Sequence, residues 1–146
     1  MSITHGYELK VFNQLYREVD EIYHSIAVKM ELSDSAFHIF YTIYDLGDGC
    51  LQKDICNITS ISKQTINSAV QKLEREGYLV LKQGKGRDMH IFLTDKGKEL
   101  VDRKIQPVIH MENHVFQEMS EEESHELLRL TRKYKELLQK KSKELL

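Results

Sequence analysis

The stretch Ile61–Gly77, ISKQTINSAVQKLEREG, decides how the rest of the chain is to be read. Ile66, Ala69, Val70 and Leu73 recur at i, i+3, i+4 and i+7, which predicts a helix with one apolar stripe. Ser62 stands where an N-cap is needed, since its hydroxyl can accept an orphan backbone N–H of the first turn. Gly77 suits the left-handed residue just past the helix end. The opposite face holds Lys63, Gln64, Thr65, Asn67, Ser68, Gln71 and Lys72, with no acidic residue through its first three turns. A face that only meets water normally carries Glu–Lys pairs four apart. Amides, hydroxyls and lysines can instead reach phosphate oxygens and base edges in a major groove, where a carboxylate would be repelled.

The flanking residues extend that reading. A short candidate helix, Leu51–Asn57, and a brief turn, Ile58–Ile61, precede the polar-faced helix, which is the helix-turn-helix order. After Gly77 come two strand-like runs, Tyr78–Leu81 and His90–Leu93. They are joined by the Gly-rich basic loop Lys82-Gln83-Gly84-Lys85-Gly86-Arg87-Asp88, so they predict a hairpin. A hairpin directly behind a recognition helix is a wing.

Charge is distributed unevenly. The chain of 146 residues has a net charge of −2, yet Ile61–His90 carries six basic and three acidic residues. Ile105–Leu128 has six Glu and no Lys or Arg. A slightly acidic protein can thus still present one positive surface to phosphate. The length suits one domain with a sizeable core. No apolar run approaches the length needed to cross a bilayer, and the N-terminus lacks the apolar core of a signal peptide, so a cytoplasmic protein with no membrane partner is expected.

Outside the central segment the chain reads as long helices. Gly6–Met30 places Leu9, Phe12, Leu15, Tyr16, Val19, Ile22, Tyr23, Ile26 and Met30 on one continuous seam. Ser33 caps a second helix, Asp34–Leu46, in which Phe37, Phe40, Ile43, Tyr44 and Leu46 predict a buried centre, ended by Gly47-Asp48-Gly49. Thr94 caps a helix reaching about Met119, with Pro107 expected to kink it by removing a backbone donor. Ser120 and Glu123 form a capping box for a last helix running to near Lys143. Its Leu127, Leu130, Tyr134, Leu137 and Leu138 form another seam.

The fold class expected is mainly α with a small β-hairpin wing (α+β). It is a winged helix-turn-helix that dimerises through its N- and C-terminal helices, because their seams are too long for the central domain to cover. The expected organisation is a dimerisation helix over 1–32, a DNA-binding domain over 33–95 and C-terminal helices over 96–146 that complete the dimer region. Two recognition helices then read half-sites about one helical turn, roughly 34 Å, apart. Ser62, Lys63, Gln64, Thr65, Asn67 and Ser68 are expected to face the major groove. Gln64 and Asn67 are the base readers, since an amide can pair bidentately with adenine. Gln71, Lys72, Lys82 and Lys85 are expected to hold phosphates.

The helix order, the segment KQTINSAVQKLEREGYL, the wing and Leu93-Thr94-Asp95-Lys96-Gly97 together resemble MarR-type transcriptional regulators over essentially the whole chain. The resemblance implies a winged-helix homodimer that binds near-palindromic operators, usually as a repressor. It carries Arg87 onto the wing arginine of that family, which enters the minor groove. It also implies a small aromatic effector, for which Tyr16, Tyr23, Phe37, Phe40, Tyr41 and Tyr44 are the candidate lining. Two positions depart from the family pattern. Lys85 stands where many members have Asp, and Leu51 replaces the usual capping Thr of the first motif helix.

Other chemistry finds little support. There is no G-x-S-x-G, P-loop, H-E-x-x-H or C-x-x-C motif, so neither an enzyme nor a cofactor is expected. His110 and His114 lie four apart on one helix, and Glu112 and His38 could join them around a metal, but with no third ligand evident the pair reads as ordinary surface or interface histidines. Cys50 and Cys56 are too few for a disulfide framework and read as small hydrophobes. Two rival functions remain: a winged-helix module that binds another protein through its acidic Glu118–Glu126 region and apolar seams, and a metal-responsive regulator.

Overall fold

The computed structural model describes residues 2–145. Its elements run α1 (Tyr7–Lys29), α2 (Asp34–Leu46), α3 (Gln52–Thr59), α4 (Lys63–Arg75), β1 (Leu79–Gln83), β2 (Met89–Leu93), α5 (Asp95–Leu100), α6 (Gln106–Glu118) and α7 (Glu121–Leu145). A π-helical turn, Val101–Ile105, separates α5 from α6. The chain divides into two compact units, Met1–Ile105 and Gln106–Leu146.

The core of the first unit is built by α2. Ala36, Phe37, Ile39, Phe40, Thr42 and Ile43 are buried on that helix, and Ile39, Phe40 and Ile43 are fully so. They are joined in the core by Ile55 of α3, Ile66 and Val70 of α4, Leu79 of β1 and Ile91 of β2. Tyr44 and Leu46, expected inside, are exposed instead. Both continue the buried rows, Leu46 following Ile39 and Ile43 and Tyr44 following Phe40, but they fall in the last turn of α2, where residues 44–46 are all exposed.

The cap residues act as their positions suggest. Ser33 Oγ accepts Ala36 N–H, Ser62 Oγ accepts Thr65 N–H and Thr94 Oγ1 accepts Gly97 N–H. Gly77 sits at φ +86°, the left-handed residue that follows α4. Leu51 supplies no side-chain cap to α3; its backbone makes an antiparallel bridge to His90, adding a minimal third strand to the wing. Gly49 N–H donates to Ile91 O at 2.8 Å, and Ile91 N–H donates to Cys50 O at 2.9 Å. A Cβ on Gly49 would press into the Phe92 ring, which explains a glycine there.

In the second unit, α7 begins with a reciprocal box. Glu123 N–H donates to Ser120 Oγ at 3.0 Å, while Ser120 N–H donates to Glu123 Oε1 at 2.9 Å. No described residue of α7 is buried. Proline removes the donor that would serve the carbonyl four residues earlier. The irregularity expected at Pro107 takes the form of the π turn just before it. Among the described residues, no helix is long and apolar enough to cross a membrane.

Candidate nucleic-acid interface

The recognition surface starts from the periodicity of α4. Ile66, Val70 and Leu73 are buried, which turns Lys63, Gln64, Thr65, Asn67 and Ser68 outward, and all five are exposed. The first turn of α4 contains no acidic residue. Its N-terminal backbone therefore adds its positive dipole end to a surface already free of carboxylates. Gln71 and Lys72 continue the exposed face, and Lys72 pairs loosely with Glu76 at 4.0 Å.

Within this face the polar groups are not equivalent. Ser62 Oγ accepts Thr65 N–H at 3.1 Å and donates to Thr65 Oγ1 at 2.8 Å, so its hydroxyl is committed to the helix start. The Thr65 hydroxyl keeps its own proton free to donate outward. Asn67 Oδ1 accepts from Gln52 Nε2, a residue of α3, at 3.1 Å. Gln64, Thr65, Ser68 and Lys72 line a shallow groove of ≈ 430 Å³ whose other wall is Ser33 and Ser35 at the start of α2.

The turn between α3 and α4 is Ser60–Ser62. Thr59 Oγ1 donates to Ile55 O at 2.7 Å and accepts Ile61 N–H at 3.4 Å, closing α3 and starting the turn with one side chain. Ser60 takes the left-handed conformation at φ +56°. The first motif helix thus runs two residues beyond the expected Asn57.

The wing pairs Leu79 with Leu93 through Gln83 with Met89. Its tip closes with Asp88 N–H donating to Lys85 O at 3.1 Å, and with Gly86 at φ +60°. Lys85 and Arg87 are exposed at this tip and form no ion pair among the described residues. The carboxylate beside Arg87 is occupied elsewhere: Asp88 pairs with Lys53 of α3 at 3.3 Å, tying the wing back to the first motif helix. Lys82 lies over the Phe92 ring at 4.9 Å. At the wing base, Thr94 Oγ1 donates to Gly77 O and Lys96 Nζ donates to Glu76 O at 2.7 Å, locking the end of α4 to the start of α5.

The aromatic candidates separate into different places. Tyr23 and Phe37 line an open groove of ≈ 340 Å³ together with Asp20, His24, Asp34 and His38. His24 Nδ1 lies 3.0 Å from both carboxylate oxygens of Asp34, bridging α1 and α2. Phe40 is fully buried and meets Tyr78 edge-on at 6.0 Å, so it belongs to the core. Tyr41 packs on Phe37 at 6.0 Å, while Tyr16 and Tyr44 are exposed. His114 is engaged along its own helix, with Gln117 at 3.3 Å and Glu118 at 3.5 Å. Among the described residues no three His, Cys, Asp or Glu side chains form a group that could hold a metal ion. Cys50 is half-buried; desolvation, followed by the nearby Asp54 and Asp48, raises its thiol pKa, the opposite of what a reactive thiolate needs.

Sequence inspection missed Gln52 and Lys53, the two α3 residues that reach Asn67 and Asp88. Local pattern could have marked both only as exposed residues of a helix first turn.

A capped helix with no acidic residue in its first turn, packed behind a shorter one and followed by a hairpin with cations at its tip, defines a winged helix-turn-helix protein. Residues 31–87 match the model of the MarR family. The HTH-type transcriptional regulator PecS of Dickeya dadantii (strain 3937) is 28% identical over 109 residues, which cover 72% of this chain and 66% of PecS, just under two thirds of its length. Among solved structures, NMB1585, a MarR family regulator from Neisseria meningitidis, superposes with a TM-score of 0.82 at 19% identity, over 97% of this chain and 100% of that one. The S. aureus MepR–DNA complex gives a TM-score of 0.69 at 22% identity, over 92% and 99%.

Proposed function

We propose that the chain is a sequence-specific, double-stranded-DNA-binding regulator acting as a homodimer on a near-palindromic operator, by default as a repressor. One observation carries the reading: the exposed, acid-free start of α4 lies in the same unit as a wing whose Lys85 and Arg87 no carboxylate holds. Lys63, Gln64, Thr65, Asn67 and Ser68 face the major groove; Ser62 serves them by capping the helix. Gln71, Lys72, Lys82 and Lys85 hold phosphates. Arg87 enters the minor groove, whose narrowness and negative potential favour an unpaired guanidinium. Residues 33–95 form the DNA-binding module, with 1–32 and 96–146 supplying the dimer region.

The test is a salt titration of duplex binding. Each phosphate neutralised by a lysine contributes a slope of about −0.9 to log K against log salt, so Lys72, Lys82 and Lys85 of each protomer give a steep line. Arg87→Ala should weaken operator binding about tenfold and leave the oligomeric state unchanged. A salt-independent or absent affinity for duplex DNA in the wild-type chain would refute the reading.

The groove at Tyr23 and Phe37 is the proposed effector site. Asp20 and Asp34 on its rim disfavour an anionic ligand, so a neutral phenol or a cationic aromatic suits it better than an aromatic carboxylate. Phenols and aromatic amines should raise the melting temperature and release DNA; a response confined to aromatic carboxylates would exclude this groove.

A further inference from the structure

Asn67 is not a free amide. Gln52, at the first position of α3, donates Nε2–H to Asn67 Oδ1 at 3.1 Å across fifteen residues of sequence. Gln52 is half-buried, whereas Asn67 is exposed on the recognition face. One end of the amide is therefore held by protein and the other is left for a ligand. An asparagine that reads adenine bidentately must accept from N6 and donate to N7 with the same amide plane. Here one of the two lone pairs of Oδ1 is engaged, which fixes which end of the amide faces α3 and leaves the NH₂ group, with its two donors, as the end that Gln52 does not hold.

We propose that Gln52 is a specificity-determining positioning residue: by holding Asn67 Oδ1 it fixes the amide orientation, so that Asn67 reads DNA chiefly as a donor. Asn67 then favours a base whose major-groove edge offers acceptors, guanine through N7 and O6 or thymine through O4. Gln64 makes no comparable bond among the described residues and keeps both amide ends free. The two amides of α4 thus read different bases although their side chains carry the same functional group. This inference rests on the DNA-binding reading above.

The experiment uses the full chain and operator fragments it selects from a random pool. Affinities are measured for the operator, for every single-base substitution in a half-site and for random duplex. Asn67→Ala should flatten the preference at one position. Gln52→Ala should reduce the preference at that same position by roughly tenfold, with random-duplex affinity changed less than about twofold. The double variant should be no worse than Asn67→Ala alone, because the residues act as a pair. Gln52→Glu, which keeps the side-chain shape, offers only acceptors. Asn67 must then present Nδ2 to it and turn Oδ1 outward, so the favoured base at that position should change to one that donates, adenine or cytosine.

Retained preference in Gln52→Ala alongside its loss in Asn67→Ala would overturn the proposal and leave the regulator reading intact. Equal loss on operator and random duplex in Gln52→Ala would also overturn it, making Gln52 a phosphate contact. An unchanged base choice in Gln52→Glu would show that the amide orientation is not set by residue 52. Failure of the wild-type chain to prefer any sequence would remove the regulator reading itself, a result separate from all of these.

Discussion

Gly97 shows how little space separates the wing from the helix behind it. A Cβ at this position would collide with the carbonyl oxygen of Tyr78, the residue that leads into β1. That same oxygen accepts Thr94 N–H and Thr94 Oγ1–H, each at 3.1 Å, so it cannot retreat without breaking the cap of α5. Nothing about φ requires a glycine here; the requirement is close approach of two backbones. Gly97→Ala should therefore cost about 2 kcal/mol, the range of an overpacked core site, and lower the melting temperature by several degrees. It should also weaken DNA binding, since the displaced Tyr78 carries β1 and hence the wing. Full stability in this variant would mean that α5 can slide along the wing base.

At the scale of elements, what could be read locally was read correctly and what depends on register was not. The α4 stripe of Ile66, Val70 and Leu73, the Ser62 cap and Gly77 all follow from residues within one helix length. The hairpin followed from two runs and an intervening glycine loop, although its strands extend to Gln83 and start at Met89. Three features were not visible. The bridge from Leu51 to His90 joins residues far apart in sequence, and nothing in either neighbourhood encodes that pairing. Tyr44 and Leu46 looked buried because periodicity does not say how far along α2 the core extends, and the last turn of the helix lies beyond it. The Gln52–Asn67 bond depends on how two helices cross, a tertiary fact. By contrast, the capping box of α7 is wholly local, and it makes a prediction about acid. The backbone N–H of Ser120, then its side chain, holds the Glu123 carboxyl below its ordinary value of 4.5. A carboxyl depressed in the folded chain stabilises above its ordinary pKa, and that contribution fades as pH falls through the folded value. The Ser120 amide resonance should report a titration with its midpoint below the ordinary glutamate value. A midpoint at that value would mean the box is open in solution.

At the scale of the whole molecule, the decisive quantity is the apolar surface exposed on α1 and on α7 among the described residues. Along α1, Leu15, Tyr16, Val19 and Ile22 are at least half exposed, and along α7 Leu130, Tyr134 and Leu137 are 47%, 44% and 50% exposed at coiled-coil-like spacing. Exposed apolar rows of this kind mark interfaces, and in the function proposed above the partner is a second copy of the chain. A single winged domain binding one half-site would hold DNA weakly. Linking two such domains makes the second contact intramolecular, with a gain of roughly 10²–10⁴ in affinity without any new contact to DNA. The exposed α7 positions can be tested without touching the recognition surface. Leu130→Glu combined with Leu137→Glu places like charges where two copies would meet, on a helix that buries none of its described residues within its own chain. The variant should sediment as a folded monomer. Its operator affinity should fall by about two orders of magnitude, while its salt slope should drop to roughly half, because each complex then neutralises half as many phosphates. The slope is the sharper readout, since a partly unfolded protein loses affinity with an unchanged slope. A monomer that retained the full slope and full operator affinity would show that one chain carries the whole interface, and the exposed faces of α1 and α7 would then have to serve some other partner.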